Sequence, residues 1–238
     1  MESISITSME NSWLDNLESL VAFRISLISW GQCHFRAFPW RMTVDAYAIL
    51  MAEIMLHRTQ VKQMVPVYEQ FIRKFPDINA LSQASVDEVS ATLSSLGLTW
   101  RIDLIKHMGG EIKSRFNNTI PQEKDALLSL PGISEYISGA IRCFAWGFPD
   151  ALIDTNTVRI TGRLFGIETK DSSRRNPVFR RLIQKLVDPD DPRTFNYAFL
   201  DLAHLICHKI KEPQCSACPI NTFCQYWQVS VKKSRIEG

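Results

Sequence analysis

Residues 130–141 read LPGISEYISGAI, inside the longer run IPQEKDALLSLPGISEYISGAIRCFAWG at 120–147. Pro131 cannot continue a helix that reaches Leu130. Gly132 permits the tight backbone turn that must follow. Beyond the turn, Ile137, Ala140, Ile141 and Phe144 fall at i, i+3, i+4 and i+7, one apolar face of a second helix. The stretch therefore predicts two short helices joined by a Pro-Gly turn, a helix-hairpin-helix. The first amides of the second helix lack partners within it, and such donors hold a phosphate oxygen without reading a base. Gly132, Ile133 and Ser134 are the candidate phosphate contacts. The same pattern also suits an ordinary corner between two helices.

Outward from the hairpin, every strong pattern is helical. Leu14, Leu17, Val21, Ile25 and Ile28 form one stripe between Trp13 and Trp30, and Pro39 in FRAFPWR (35–41) breaks the run. Tyr47–Leu56 is apolar on nearly every side, the mark of a helix inside a core. Val65–Phe75 is amphipathic, and Ser85 with Glu88 forms a capping box for a helix stopping near Gly97. Ile102–Phe116 is helical, with an interruption expected at Gly109-Gly110. Downstream, ALIDTNTVRITGRLFG (151–166) opens with a short apolar run, then carries a helix from Asp154 to about Phe165. Pro177–Val187 and Asn196–Lys209 complete the set. No convincing strand pattern, hairpin signal or fixed-period repeat is present. The fold class is all-α.

Composition bounds the class of protein. With 238 residues, 45% hydrophobic and 22% charged, the chain suits a soluble globular protein with a sizeable core. No stretch approaches ~18 consecutive apolar residues, which excludes a transmembrane helix. An N-terminus with Glu2, Glu10, Asp15 and Glu18 and no basic leader reads as cytoplasmic, nucleoid-associated in a bacterial or archaeal cell. A net charge of +2 neither demands nor excludes nucleic acid. Arg174, Arg175, Arg180, Arg181 and Lys185 cluster, and a solvated surface accounts for that much.

Four of the six cysteines crowd the C-terminal end: Cys207, seven residues, Cys215, two residues, Cys218, five residues, Cys224. In a cytosolic chain such crowding reads as a metal site before disulfides. Four thiolates can hold a [4Fe–4S] cluster or tetrahedral zinc, although zinc ribbons supply two close pairs and only 215/218 is one here. Four unconnected buried cysteines are the remaining reading. Glu53 sits within MAEIML on the apolar helix, where ionising a carboxyl is costly. Asp154 precedes a helix at an N-cap position, where backbone donors and the dipole favour the anion. Two carboxyls pushed in opposite directions make the acid-and-anion pair of glycosyl chemistry. A buried arginine paired with Glu53, and a merely structural cap at Asp154, would account for each separately.

Taken in order, these features resemble the helix-hairpin-helix DNA glycosylases of the endonuclease III superfamily, from FPWR at residue 38 to about Trp227. AEIMLHRTQV at 52–61, LGL at 96–98, the hairpin, the Asp154 segment and the terminal cysteines are similar to the thymine and adenine mismatch branches. The resemblance implies a six-helix barrel domain over 41–150, with its hairpin at about 125–145. It implies a second domain from 11–40 plus 151–238, holding a [4Fe–4S] cluster on Cys207, Cys215, Cys218 and Cys224. Asp154 would stabilise the oxocarbenium-like sugar, and Glu53 would assist departure of the base or activate water. Tyr136 stands where endonuclease III has its Schiff-base lysine, and a tyrosine cannot form that imine. His57, Arg58 and Gln60 would engage DNA after Glu53, and Leu98 would supply a second wedge.

The resemblance thus implies a monomeric, monofunctional glycosylase without AP lyase activity. It would act on double-stranded DNA holding a mismatched or damaged base, releasing thymine or uracil opposite guanine. An adenine glycosylase acting opposite guanine or 8-oxoguanine is the alternative, although that branch adds a C-terminal domain absent after Cys224. A non-catalytic DNA-binding iron–sulfur protein is a third reading. Two departures stand out. The first cysteine gap is seven residues where the family has six, which a bulge near Pro213 would absorb. Ser134 replaces the second glycine of LPGVG, and would be strained if that position needs φ > 0.

Overall fold

The computed structural model describes residues 12–57, 59–97 and 100–236. Arg58 and Leu98, two of the expected DNA contacts, lie outside the described residues. Among the described residues there is no strand, and the fold is all-α. The chain divides into two compact units, one of residues up to Phe35 with the segment from Ala151 onward, the other Arg36–Asp150.

The first unit opens with α1 (Ser12–Asp15) and α2 (Leu17–Cys33). The single helix expected from Trp13 is broken at Asn16, whose side chain accepts from the Ser19 amide at 2.9 Å and caps α2.

The second unit follows a 3-10 turn at Pro39–Arg41 with α3 (Ala46–Leu56), α4 (Val61–Lys74), α5 (Ile78–Gln83) and α6 (Val86–Leu93). It continues through α7 (Trp100–Phe116), α8 (Lys124–Leu128) and α9 (Glu135–Trp146). Helix α3 is buried from Tyr47 to Met55, as its all-round apolar sequence requires. The capping box at Ser85 and Glu88 is present. Two expectations are corrected. Helix α4 begins at Val61 rather than Val65, with Pro66 inside it. Helix α7 runs unbroken through Gly109-Gly110. A Cβ on Gly109 would sit 3.4 Å from the Leu81 side chain, so α7 lies close against α5 there.

The chain then returns to the first unit through α10 (Thr155–Phe165), α11 (Pro177–Leu186), α12 (Pro192–Leu205) and α13 (Gln225–Ile236). Helix α12 starts four residues before the expected Asn196, because Asp191 accepts from the Thr194 amide at 3.1 Å and Pro192 opens the helix; it stops at Leu205. Its core joins Phe23 and Leu27 of α2 to Ile160 and Leu164 of α10 and to Phe195, Phe199 and Leu202 of α12. Gly31 of α2 meets α12 so closely that a Cβ there would lie 2.3 Å from the Ala198 Cβ.

Long cations close several helix C-termini, where the last carbonyls lack intrahelical partners. Arg24 donates to the carbonyls of Lys185, Leu186 and Val187 at the end of α11. Lys106 donates to those of Leu81, Ser82 and Ala84 at the end of α5. No described helix is long and apolar enough to cross a membrane.

Candidate active site

Helices α8 and α9 flank the Pro131-Gly132 turn, so the predicted hairpin is present. Gly132 has φ +78°, and a Cβ there would lie 2.6 Å from the Leu104 side chain. Both conformation and space therefore require glycine. Ser134 is extended (φ −88°, ψ 167°) and caps α9, its hydroxyl accepting from the Ile137 amide at 3.2 Å. The expected strain is absent, because the left-handed residue of this turn is Gly132. The Ile133 amide donates to the Leu130 carbonyl at 3.3 Å, and its side chain is buried. Tyr136 is half-buried in the first turn of α9.

In the same unit, Glu53 lies on α3 with 7% of its surface exposed. His57 caps the C-terminus of that helix and Gln60 precedes α4; both are exposed. The hairpin residues thus share one turn, while Glu53, His57 and Gln60 share α3 and its exit.

In the other unit, Asp154 caps α10 with a fully engaged carboxylate. One oxygen, Oδ1, accepts from the amides of Asn156 (2.8 Å) and Thr157 (2.7 Å), while Oδ2 accepts from the Asn156 side-chain amide at 2.7 Å. The Thr157 hydroxyl accepts in turn from the Asp154 amide at 2.9 Å, completing a capping box. These donors and the positive end of the helix hold an anion in one orientation.

The bonding continues away from Asp154. The Arg159 guanidinium donates to Asn156 Oδ1 at 3.0 Å and to the Cys207 carbonyl at 3.0 Å. Sequence reading missed Asn156 and Arg159. Their three-residue spacing on a helix was the available signal, but an i, i+3 polar pair is too common to single out.

Cys207, Cys215, Cys218 and Cys224 line one cavity with Ile160, Leu164 and Ile220. Burial pushes the Cys218 thiol up to about 12, and burial likewise raises Cys215 and Cys224. Each of these thiols is disfavoured further by the others becoming anionic, so a cation is what would hold four thiolates together. Arg163 donates to Cys207 Sγ at 3.0 Å, and backbone amides of Ile220, Tyr226 and Trp227 point at Cys218 and Cys224. Among the described residues, no three His, Cys, Asp or Glu side chains converge closely enough to hold one metal ion. Four soft sulfur donors lining one cavity are a set that suits a [4Fe–4S] cluster or tetrahedral zinc. The seven-residue gap is taken up by the segment after Cys207, closed where the Gln214 amide meets the Ile206 carbonyl at 3.0 Å; Ile210 within it is 95% exposed.

Residues 51–191 match the family model of the HhH-GPD superfamily base excision DNA repair proteins. The chain belongs to this superfamily. The HhH-GPD chain is 38% identical to a thymine/uracil-DNA glycosylase of Pyrobaculum aerophilum, over 90% of its own length and 94% of the relative's. It is 31% identical to the human adenine DNA glycosylase, covering 88% of this chain but 40% of that one. Among solved structures, a thermostable thymine-DNA glycosylase superposes with a TM-score of 0.80 at 27% identity, over 88% of this chain and 97% of the other.

Proposed function

We propose that this HhH-GPD protein is a monofunctional glycosylase of base excision repair that hydrolyses the N-glycosidic bond of thymine or uracil opposite guanine. The observation that carries this reading is the Asp154 carboxylate, held at the start of α10 by three donors. Such a preorganised anion stabilises positive charge developing on a sugar as its base departs. The identity to thymine/uracil-DNA glycosylases supports the choice of base.

In this reading Asp154 lies beside C1′. Glu53, 7% exposed on α3, exchanges a proton near the departing base and the attacking water. Tyr136 offers no amine, so water completes the substitution and the product is an intact abasic site. His57 and Gln60, with Arg58 and Leu98, engage the duplex around the ejected base. Cys207, Cys215, Cys218 and Cys224 would hold a [4Fe–4S] cluster, which would supply a covalent cross-link for the C-terminal segment and a redox-active centre. Cytoplasmic location and a monomeric state complete the reading.

Duplexes carrying single G·T, G·U, G·A or 8-oxoguanine·A pairs test it, each assayed with and without alkali. G·T and G·U strands are expected to break only after alkali, and borohydride is expected to trap no covalent adduct. Nicking without alkali together with borohydride trapping would overturn the monofunctional assignment. Release of adenine in preference to thymine and uracil would move the protein to the adenine branch.

DNA affinity supplies a separate check. Contacts from the hairpin around Gly132 go to phosphates, so log affinity is expected to fall linearly with log salt, with a slope of about −0.9 per neutralised phosphate. Affinity unchanged between low and high salt would remove the hairpin from the DNA contact.

A further inference from the structure

Arg101, at the start of α7, is a fully buried cation, 2% exposed. One nitrogen, Nη1, donates to the Met55 carbonyl at 2.8 Å and to the Thr59 hydroxyl at 3.1 Å. Its Nε and Nη2 are also buried and have no hydrogen-bond partner among the described residues. Burial lowers the guanidinium to about 10, which leaves it cationic at neutral pH. A buried charge with unused donors is destabilising relative to an apolar side chain of similar volume. Core packing therefore does not account for arginine at this position.

What arginine does here, and leucine or methionine could not, is bond two points on the chain leaving α3. The Met55 carbonyl is among the last four of that helix, which lack intrahelical partners. Helix α3 ends at His57 in extended geometry (φ −62°, ψ 109°), without a left-handed residue to close it. Thr59 lies in the turn that follows. Two more contacts tie this turn and the start of α4 to the chain around α7. The His57 ring meets Trp100 edge-on at 6.0 Å, and Gln63 donates to the Ser95 carbonyl at 2.7 Å.

We propose that Arg101 is a positioning residue: through the Met55 carbonyl and the Thr59 hydroxyl it locks the turn after α3, so that His57 and Gln60 meet the duplex in one fixed pose while the target base is ejected. This rests on the glycosylase reading above. A preformed turn avoids ordering the loop during ejection, and small misplacements of positioning groups slow reactions strongly.

The test uses single-turnover excision from a G·U duplex, with 2-aminopurine beside the uracil to report unstacking. Thr59→Val removes one acceptor and keeps the side-chain shape. It is expected to slow excision and unstacking by roughly 10-fold to 100-fold, with the protein still folded at the assay temperature and a lowered melting temperature that Arg101→Met shares. Arg101→Met is expected to lose about 100-fold, with Arg101→Lys restoring part of it. Adding Thr59→Val to Arg101→Met is expected to cost nothing more, which a general loss of stability would not produce. If Arg101→Met does not fold, Thr59→Val and Arg101→Lys decide the matter. Thr59→Val excising at the unmodified rate, or additive effects in the double variant, would overturn the proposal and leave the glycosylase reading intact. An unmodified protein that releases no base from G·U or G·T would overturn both.

Discussion

Asp154→Asn is expected to fold, bind duplex DNA and release almost no base. Asparagine is as good an N-cap as aspartate, and its oxygen can still accept from the amides of Asn156 and Thr157, now 2.8 and 2.7 Å from Oδ1. What disappears is the negative charge. The Asn156 side chain, which donates to Oδ2 at 2.7 Å, would face an amide nitrogen there and has to turn. Removing one electrostatic stabiliser of this kind slows the chemical step by roughly 10²–10³-fold. Single-turnover excision measures the loss, and thermal melting with a binding isotherm measures what is retained. Full activity in the asparagine variant would remove Asp154 from the chemistry and with it the proposed site.

Cys218→Ala is expected to abolish iron binding and lower the melting temperature of the whole chain. The unmodified protein, prepared anaerobically, is expected to carry about four irons and broad absorption near ~400 nm. Burial pushes the Cys218 thiol up to about 12, and the side chain packs against the core with Cys207 and Cys224. Its loss leaves a three-sulfur set beside Ile160, Leu164 and Ile220. Soft thiolates without a nitrogen ligand favour iron–sulfur chemistry over harder metals. One zinc and no iron in the unmodified protein would refute the cluster.

The parts of the fold legible in the sequence are those with local causes. Gly132 needed a left-handed turn, Ser85 and Glu88 had capping-box spacing, and Asp154 preceded an apolar helical stripe; each does what its local chemistry requires. Misreadings occur where a distant contact overrides a local preference. Gly109-Gly110 suggested a break, but α7 continues through both, with Leu81 of α5 packed beside Gly109. Asp191-Pro192 was a legible start signal that the apolar periodicity from Asn196 obscured. Ser134 stands where the family pattern has glycine, yet serine is a good N-cap and acts as one here. Arg101 could not have been found, since nothing around it in sequence distinguishes a buried guanidinium from a solvated one. The cysteines were legible as a set from spacing alone. Whether their sulfurs surround one cavity depended on the turns between them.

The contact between Gly31 and Ala198 also sets an order of events during synthesis. At ~5–20 residues per second, α12 leaves the ribosome on the order of ten to thirty seconds after α2. Throughout that interval Phe23 and Leu27, which end with no exposed surface, lack their partners on α12. The segment Arg36–Asp150 is complete before any of α10–α13 has been made. It can therefore condense first, while the apolar face of α2 still awaits α12. Cys207, Cys215, Cys218 and Cys224 emerge only after that segment is complete.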